Sequence, residues 1–271
     1  MRTSLGMLHL SRRQFVRLSA ELGVIVLVGI PFAKTMADSL DTLGEDHYAS
    51  RYDPTTNTRI IEATDLELKP EMMVNGKNLI VRADTLRIRQ PLSLPGCNIT
   101  LVAREISCEI GARLSTVGPK GKPDYAGIQA PMDQNGANDA GAGSRAGDVS
   151  IFAWSLTGTL AIDATGGDGG DAQSGGKGSQ GEGGTAADHD HAAGPGHQGN
   201  KGGNAGRPGD GAPGGQVLIA VQTGVDSHVW SATVKGGQPG KPGVNGTPGL
   251  GGWGGARAGG VDVKSYRCPP T

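Results

Sequence analysis

Aromatic residues are scarce. The chain of 271 residues holds 3 Trp, 4 Tyr and 3 Phe, 4% of the total. Rings dominate the burial of an ordinary core, so a core built around them is excluded. Cysteine is limited to Cys97, Cys108 and Cys268. No CxxC or Cys/His spacing points to zinc. Three thiols leave one outside any disulfide, and the sequence does not choose among the pairings. The formal net charge of −1 argues against bulk electrostatic binding of nucleic acid. The longest apolar run, from Leu22 to Ile30, is short for a membrane-spanning helix. There is no phosphate loop opening a helix, no nucleotide fingerprint, and no Ser/His/Asp order with catalytic meaning.

Glycine and proline are what is present. With 48 Gly and 16 Pro they make up close to a quarter of the chain, near the level at which fibrous or low-complexity readings arise. The runs between the glycine-rich stretches therefore decide the fold class.

The N-terminus reads MRTSLGMLHLSRRQFVRLSAELGVIVLVGIPFAKTMA. A basic start, a short apolar run, and small residues at Thr35 and Ala37 follow the three-part plan of an export signal. The stretch Ser11-Arg12-Arg13-Gln14-Phe15-Val16-Arg17 resembles the bacterial twin-arginine signal, with Val16 and Arg17 as mild departures. That resemblance implies export in the folded state through the twin-arginine (Tat) translocase, to the periplasm, the cell surface or the medium. An N-terminal membrane anchor is the alternative. Removal of residues 1–37 takes five of the 25 basic residues and one of the 26 acidic ones, leaving a balance of about −5 and no membrane span. Residues 38–58 are expected to form a lead-in or N-terminal cap.

From residue 59 onward a repeat emerges. Segments starting at Asn78, Asn98, Asp148, Gln216 and Gly260 align, with a looser match at Arg59. One column reads Leu79, Ile99, Val149, Val217, Val261. The next reads Val81, Leu101, Ile151, Ile219, Val263, and a third Ala83, Ala103, Ala153, Val221, Ser265. Alternating β-branched and aliphatic residues signal strands. A unit of about twenty residues cannot bury its own apolar face, whereas stacked copies can. The expectation is an all-β chain, specifically a short right-handed parallel β-helix (solenoid) over 59–271. An antiparallel sandwich is the rival.

The column starts are spaced by 20, 50, 68 and 44 residues. The excess over one coil is glycine-rich and falls at about 119–147, 166–215 and 236–260. Insertions at one repeat position emerge on one face of a solenoid. In 236–255 glycine occupies 237, 240, 243, 246, 249, 252 and 255. Collagen needs three chains and a long unbroken period, and the run 196, 199, 202, 203, 206, 209 breaks phase. Two readings remain: flexible loops, or a packed bundle of polyproline-II-like segments. The second resembles the glycine-rich bundles of tail-tip adhesins of T-even-like bacteriophages and of the snow-flea antifreeze protein, over the Gly-x-x stretches alone.

Candidate ligand sites are few. Gly166 to Ser174, GGDGGDAQS, resembles the calcium-binding RTX nonapeptide, which implies Asp168 and Asp171 as ligands. Asp188, His189, Asp190, His191 and His197 are the densest set of groups suited to zinc, copper or nickel. Both sets are equally loop carboxylates and a polar loop tip, and the chain is expected to need no cofactor. Trp253 inside the triplet run is a candidate for stacking on a sugar ring. Arg82, Asp84, Arg87, Arg104, Glu105 and Glu109 form no paired-carboxylate set of the kind glycoside chemistry needs. The function expected is that of an exported, non-enzymatic surface protein of adhesin or matrix type, meeting a cell-surface glycan or envelope component. A β-helix carbohydrate-active enzyme or lectin is the alternative.

Overall fold

The computed structural model describes residues 24–28, 47–73, 78–188, 191–223 and 230–255. The signal motif (Ser11, Arg12, Arg13, Phe15), His189 and Asp190, the repeat segment from Gly260, and Cys268 lie outside these residues. The described chain is all-β apart from one 3-10 turn, Pro70–Met73. Its strands are β1 (Val24–Val28), β2 (Tyr48–Asp53), β3 (Thr58–Glu67), β4 (Asn78–Ile88), β5 (Leu92–Ser93), β6 (Asn98–Ser115), β7 (Val149–Asp163), β8 (Val217–Thr223) and β9 (Trp230–Thr233). They form one mixed sheet in the order β1-β8-β7-β6-β4-β3-β2, with β5 on β6 and β9 on β7. Every pairing is parallel except β2 with β3.

The chain divides into two compact units. The first holds the sheet: residues 1–119, 144–167 and 212–237. The second holds Lys120–Gly143, Asp168–Gly211 and the chain from Gln238.

In the sheet unit the apolar columns are the hydrogen-bonding register. Leu79 pairs with Ile99, Ile99 with Val149, and Val149 with Val217. Ile61, Val81, Leu101, Ile151 and Ile219 form the next row and are fully buried. Period two puts alternate residues on one face, so a single register buries the whole row. The third row is Ala63, Ala83, Ala103 and Ala153, and there the pairing skips one residue before resuming at Asp65, Thr85, Glu105 and Ser155. Small alanines line that interruption, and Leu66, Leu86, Ile106 and Leu156 follow it inside the core.

Outward positions carry ion pairs between neighbouring strands: Arg82 with Glu62 at 3.0 Å, Arg87 with Asp65, Arg104 with Asp84 at 3.8 Å, and Arg89 with Glu67 and Glu109. The four arginines lie at the surface, so each pair contributes about 0–1 kcal/mol. They link strand to strand and suppress pairing in a shifted register.

Two strands lie outside the repeat that begins at residue 59. Residues 48–53 of the expected lead-in join the sheet as the antiparallel strand β2. Residues 24–28 of the expected signal, set apart from the fold in sequence, form β1 in register on β8, Val24 beside Val217, Val26 beside Ile219 and Val28 beside Val221. The edge of β8 offers a row of backbone donors and acceptors, and the valine-rich VIVLV suits a strand that continues the columns.

Candidate functional site: the glycine-rich lattice

Five extended segments make up the second unit. In chain order they are I (120–125), II (137–143), III (168–185), IV (194–211) and V (238–255). Segment III lies at the centre of their hydrogen bonding. It donates to V from Gly169, Ala172, Gly175, Gly178, Gly181 and Gly184, to the carbonyls of Gln238, Lys241, Val244, Thr247, Leu250 and Trp253. It accepts from IV, where Gly194, His197, Asn200, Gly203, Gly206 and Gly209 donate to Thr185, Glu182, Ser179, Gly176, Gln173 and Gly170. Gly170 also donates to Gly141 of II, and Gly121 of I donates to Asp168. Donors recur every third residue with N···O distances of 2.7 to 3.0 Å. A chain of three residues per turn aims one amide per turn at a given neighbour, so this spacing follows from the geometry. The sheet unit carries the same bonding at Gly118, Gly166, Gly215 and Gly237.

Glycine is required because the backbones touch. A Cβ on Gly169, Gly175, Gly209, Gly246 or Gly249 would stand well under 3.0 Å from a neighbouring carbonyl oxygen. Segment III meets II, IV and V, and two of its triplets hold paired glycines, Gly169-Gly170 and Gly175-Gly176. Gly175 abuts Gly203 of IV, and Gly176 abuts Pro131. Segment V accepts from III and donates to IV with one glycine per triplet, as from Gly240 to Gly209 and from Gly246 to Gly203. Ordering a glycine costs about 0.5–1 kcal/mol more than ordering alanine. A hydrogen bond contributes about 0.5–1.5 kcal/mol net, and leaving a buried amide unpaired costs more than either.

Side chains close the remaining amides. Asp168 Oδ1 accepts the Gln238 N–H at 2.7 Å, Asp171 Oδ1 the Lys241 N–H at 2.8 Å, and Ser174 Oγ the Val244 N–H at 3.2 Å. Asp124, Asp133 and Asp139 accept in the same way from Asp171, Ser179 and Arg207. Hydrogen bonds from the Lys120 ammonium and the Asp171 amide hold the Asp124 carboxyl below its usual range. The Ser179 amide does the same for Asp133. Gln173, only 6% exposed, stands where a glycine would continue the pattern, and its Oε1 accepts the Asn138 N–H.

The two candidate calcium ligands are thus engaged as struts to segment V, 3 residues apart on III. His191 donates its N–H to Asp188 Oδ1 at 2.7 Å, with Nδ1 2.9 Å from the same oxygen. His197 donates its amide to Glu182. Among the described residues no three His, Cys, Asp or Glu side chains gather as a metal group. Trp253 is 45% exposed and shares a column with Val244 (72%), Thr247 and Leu250 (42%). Sequence reasoning reached Trp253 and missed the column. Its signal was present: all four hold the same place in successive Gly-x-x triplets.

In the sheet unit, a shallow groove of about 310 Å³ is lined by Gly111, Arg113, Thr159, Leu160, Trp230 and Ser231. Arg113 pairs with Asp163, and Ile110, beside the turn at Gly111, is fully exposed. Cys108 is a free thiol, and burial pushes its pKa up to about 12. No helix among the described residues is long and apolar enough to cross a membrane. Comparison with known protein families, curated proteins and solved structures finds no match to this chain.

Proposed function

We propose that this chain is an exported, non-enzymatic surface or matrix protein that winds as a short parallel β-solenoid and presents its glycine-rich lattice as a stiff binding or structural surface. The observation that carries this reading is the unbroken period-three ladder between segments III, IV and V. A lattice whose backbone groups are bonded to one another holds outward side chains about 9 Å apart in straight rows. Rows of that kind suit contact with an extended, repetitive partner such as an envelope glycan. Engagement of Asp168 and Asp171 by backbone amides supports a lattice that is complete without calcium. Export by the twin-arginine route accords with a lattice that must be assembled before crossing a membrane.

The groove at Trp230 and Arg113 favours a second reading, a lectin or carbohydrate-active protein. An indole beside a cation suits a sugar face and an acidic group. One experiment separates the two. Exported wild-type protein is tested on isolated cell envelopes and a glycan panel beside Trp253→Ala and Trp230→Ala. Loss of binding with Trp253→Ala alone supports the lattice; loss with Trp230→Ala alone supports the groove. Failure of Arg12→Lys/Arg13→Lys to block export would overturn the twin-arginine assignment.

A further inference from the structure

In an asparagine followed by glycine, the side-chain amide carbon and the next backbone nitrogen meet easily, because glycine puts no Cβ in the way. The described residues hold two such pairs, Asn135-Gly136 and Asn245-Gly246, both in the glycine-rich unit. Asn75-Gly76 lies outside them. Asn135 and Asn245 are both exposed, but their backbones are held in opposite ways.

At Asn245 the groups that ring closure needs are engaged. The Gly246 N–H donates to the Gly203 carbonyl at 2.8 Å. Asn245 Oδ1 accepts the Ala205 N–H at 2.8 Å. A Cβ on Gly246 would stand well under 3.0 Å from the Gly176 carbonyl oxygen, so the backbone there has no room to turn.

At Asn135 the attacking nitrogen is open. Gly136 lies opposite Asn204 in an isolated parallel bridge. The bridge uses the carbonyl before Gly136 and the amide after it. Asn204 donates to the Asn135 carbonyl at 3.1 Å, and Ala137 donates to the Asn204 carbonyl at 2.9 Å. The Gly136 N–H therefore points away from Asn204, and among the described residues it has no acceptor. A Cβ on Gly136 would meet nothing within 4 Å, so there is space for the ring to form. The Asn135 carbonyl and the Gly136 nitrogen belong to one peptide group. The Asn204 N–H on that oxygen stabilises the anion formed when the nitrogen gives up its proton.

We propose that Asn135 is a self-modification site, converting to aspartate and isoaspartate through a cyclic imide with Gly136, while Asn245 is protected by the lattice. The Gly136 nitrogen passes its proton to solvent and attacks Asn135 Cγ. The N–Cγ bond forms, the Cγ–Nδ2 bond breaks, and ammonia leaves. Water then opens the imide at either carbonyl. One water is consumed and one ammonia released, with no oxidant or reductant. The isoaspartyl product routes the backbone through the former side chain and adds a carbon between 135 and 136. Ala137 then slips from its register on Asn204. The neighbouring Gln134 carbonyl lies against Gly203, so the change falls where segment IV exchanges one neighbour for another. The ladder between III and V makes no use of these residues. Conversion is a one-way loosening of this loop from IV that leaves the rest of the lattice in place.

The test ages the full-length chain in native buffer and, separately, in denaturant, then digests it at acid pH for peptide mass spectrometry. In the folded chain Asn135 should convert at least about tenfold faster than Asn245, because two hydrogen bonds must break before Asn245 can react. Its peptide should resolve into two products of equal mass. In denaturant the two rates should converge. Gly136→Val crowds the nitrogen without meeting a neighbour and should slow conversion at Asn135 by more than about tenfold. An Asn135 that stays intact in the folded chain, or that reacts no faster there than Asn245, overturns the proposal. Hydrogen exchange of the converted chain checks the consequence. Exchange at Ala137 should quicken while Gly175 and Gly178 keep their protection. Unchanged exchange at Ala137 would overturn the loosening.

Discussion

Gly249 and Gly254 lie five residues apart in one segment and answer differently to the same substitution. A Cβ on Gly249 would stand well under 3.0 Å from the Ser179 carbonyl oxygen, a backbone atom held by the lattice, whereas one on Gly254 meets nothing within 4 Å. Gly249→Ala should destabilise the lattice by about 3 kcal/mol, in the range of severe overpacking. Gly254→Ala should be neutral or stabilise by about 0.4–1 kcal/mol through the unfolded chain. Hydrogen exchange of the Gly246 and Gly252 amides checks both; equal effects would show that the backbones are not in contact. The buried thiol offers a second residue-scale test. Burial raises the Cys108 pKa to about 12, and the thiolate is the reactive species. At pH 8 a thiol reagent should leave Cys108 intact until the sheet is unfolded; modification of Cys108 in the folded chain would show that the core there is open.

At the scale of the element, the phase break in segment IV has a physical origin. Gly196, Gly199 and Gly202 abut segment V at Gly252, Gly249 and Gly246. Gly203, Gly206 and Gly209 instead abut Gln134, Asn138 and Gly141, in or beside segment II. Where those neighbours stop, positions 197 and 200 are free to carry His and Asn. The donors to segment III never change phase. A break that reads as an irregularity in sequence thus marks a change of neighbour. The carboxylate struts belong to the same scale. The folded pKa values of Asp124 and Asp133 lie below the usual carboxylate range. Their contribution is present above the unfolded pKa, about 3.9, and is lost as pH falls through the folded values. Amide protection at Asp171 and Ser179 should therefore drop between about pH 4 and lower pH. Asp133→Asn should flatten the response at Ser179, since an amide oxygen accepts without titrating; unchanged pH dependence in that variant would assign the titration elsewhere.

For the whole molecule, the carboxylates nominated as calcium ligands already serve backbone amides. The melting temperature should accordingly be unchanged by EDTA. A chelator-dependent fall of several degrees would bring calcium back at Asp168 and Asp171. The all-β class and the strand register were legible in the chain: with one face buried, a shift of one residue would expose an entire row, so Leu79, Ile99, Val149 and Val217 identify one another as partners. Glycine spacing likewise announced a three-residue period. Other features followed from contacts remote in sequence. Whether the glycine runs were coil or lattice depended on neighbours about 70 residues away, such as those that give Asp168 the amide of Gln238. The use of Val24–Val28 as a strand depended on an edge of β8 that no local pattern announces. Alternation and triplet spacing are properties of the chain itself, fixed by backbone geometry. The choice of partner for a backbone amide belongs to the folded structure, because it is settled by which segments come within 3 Å.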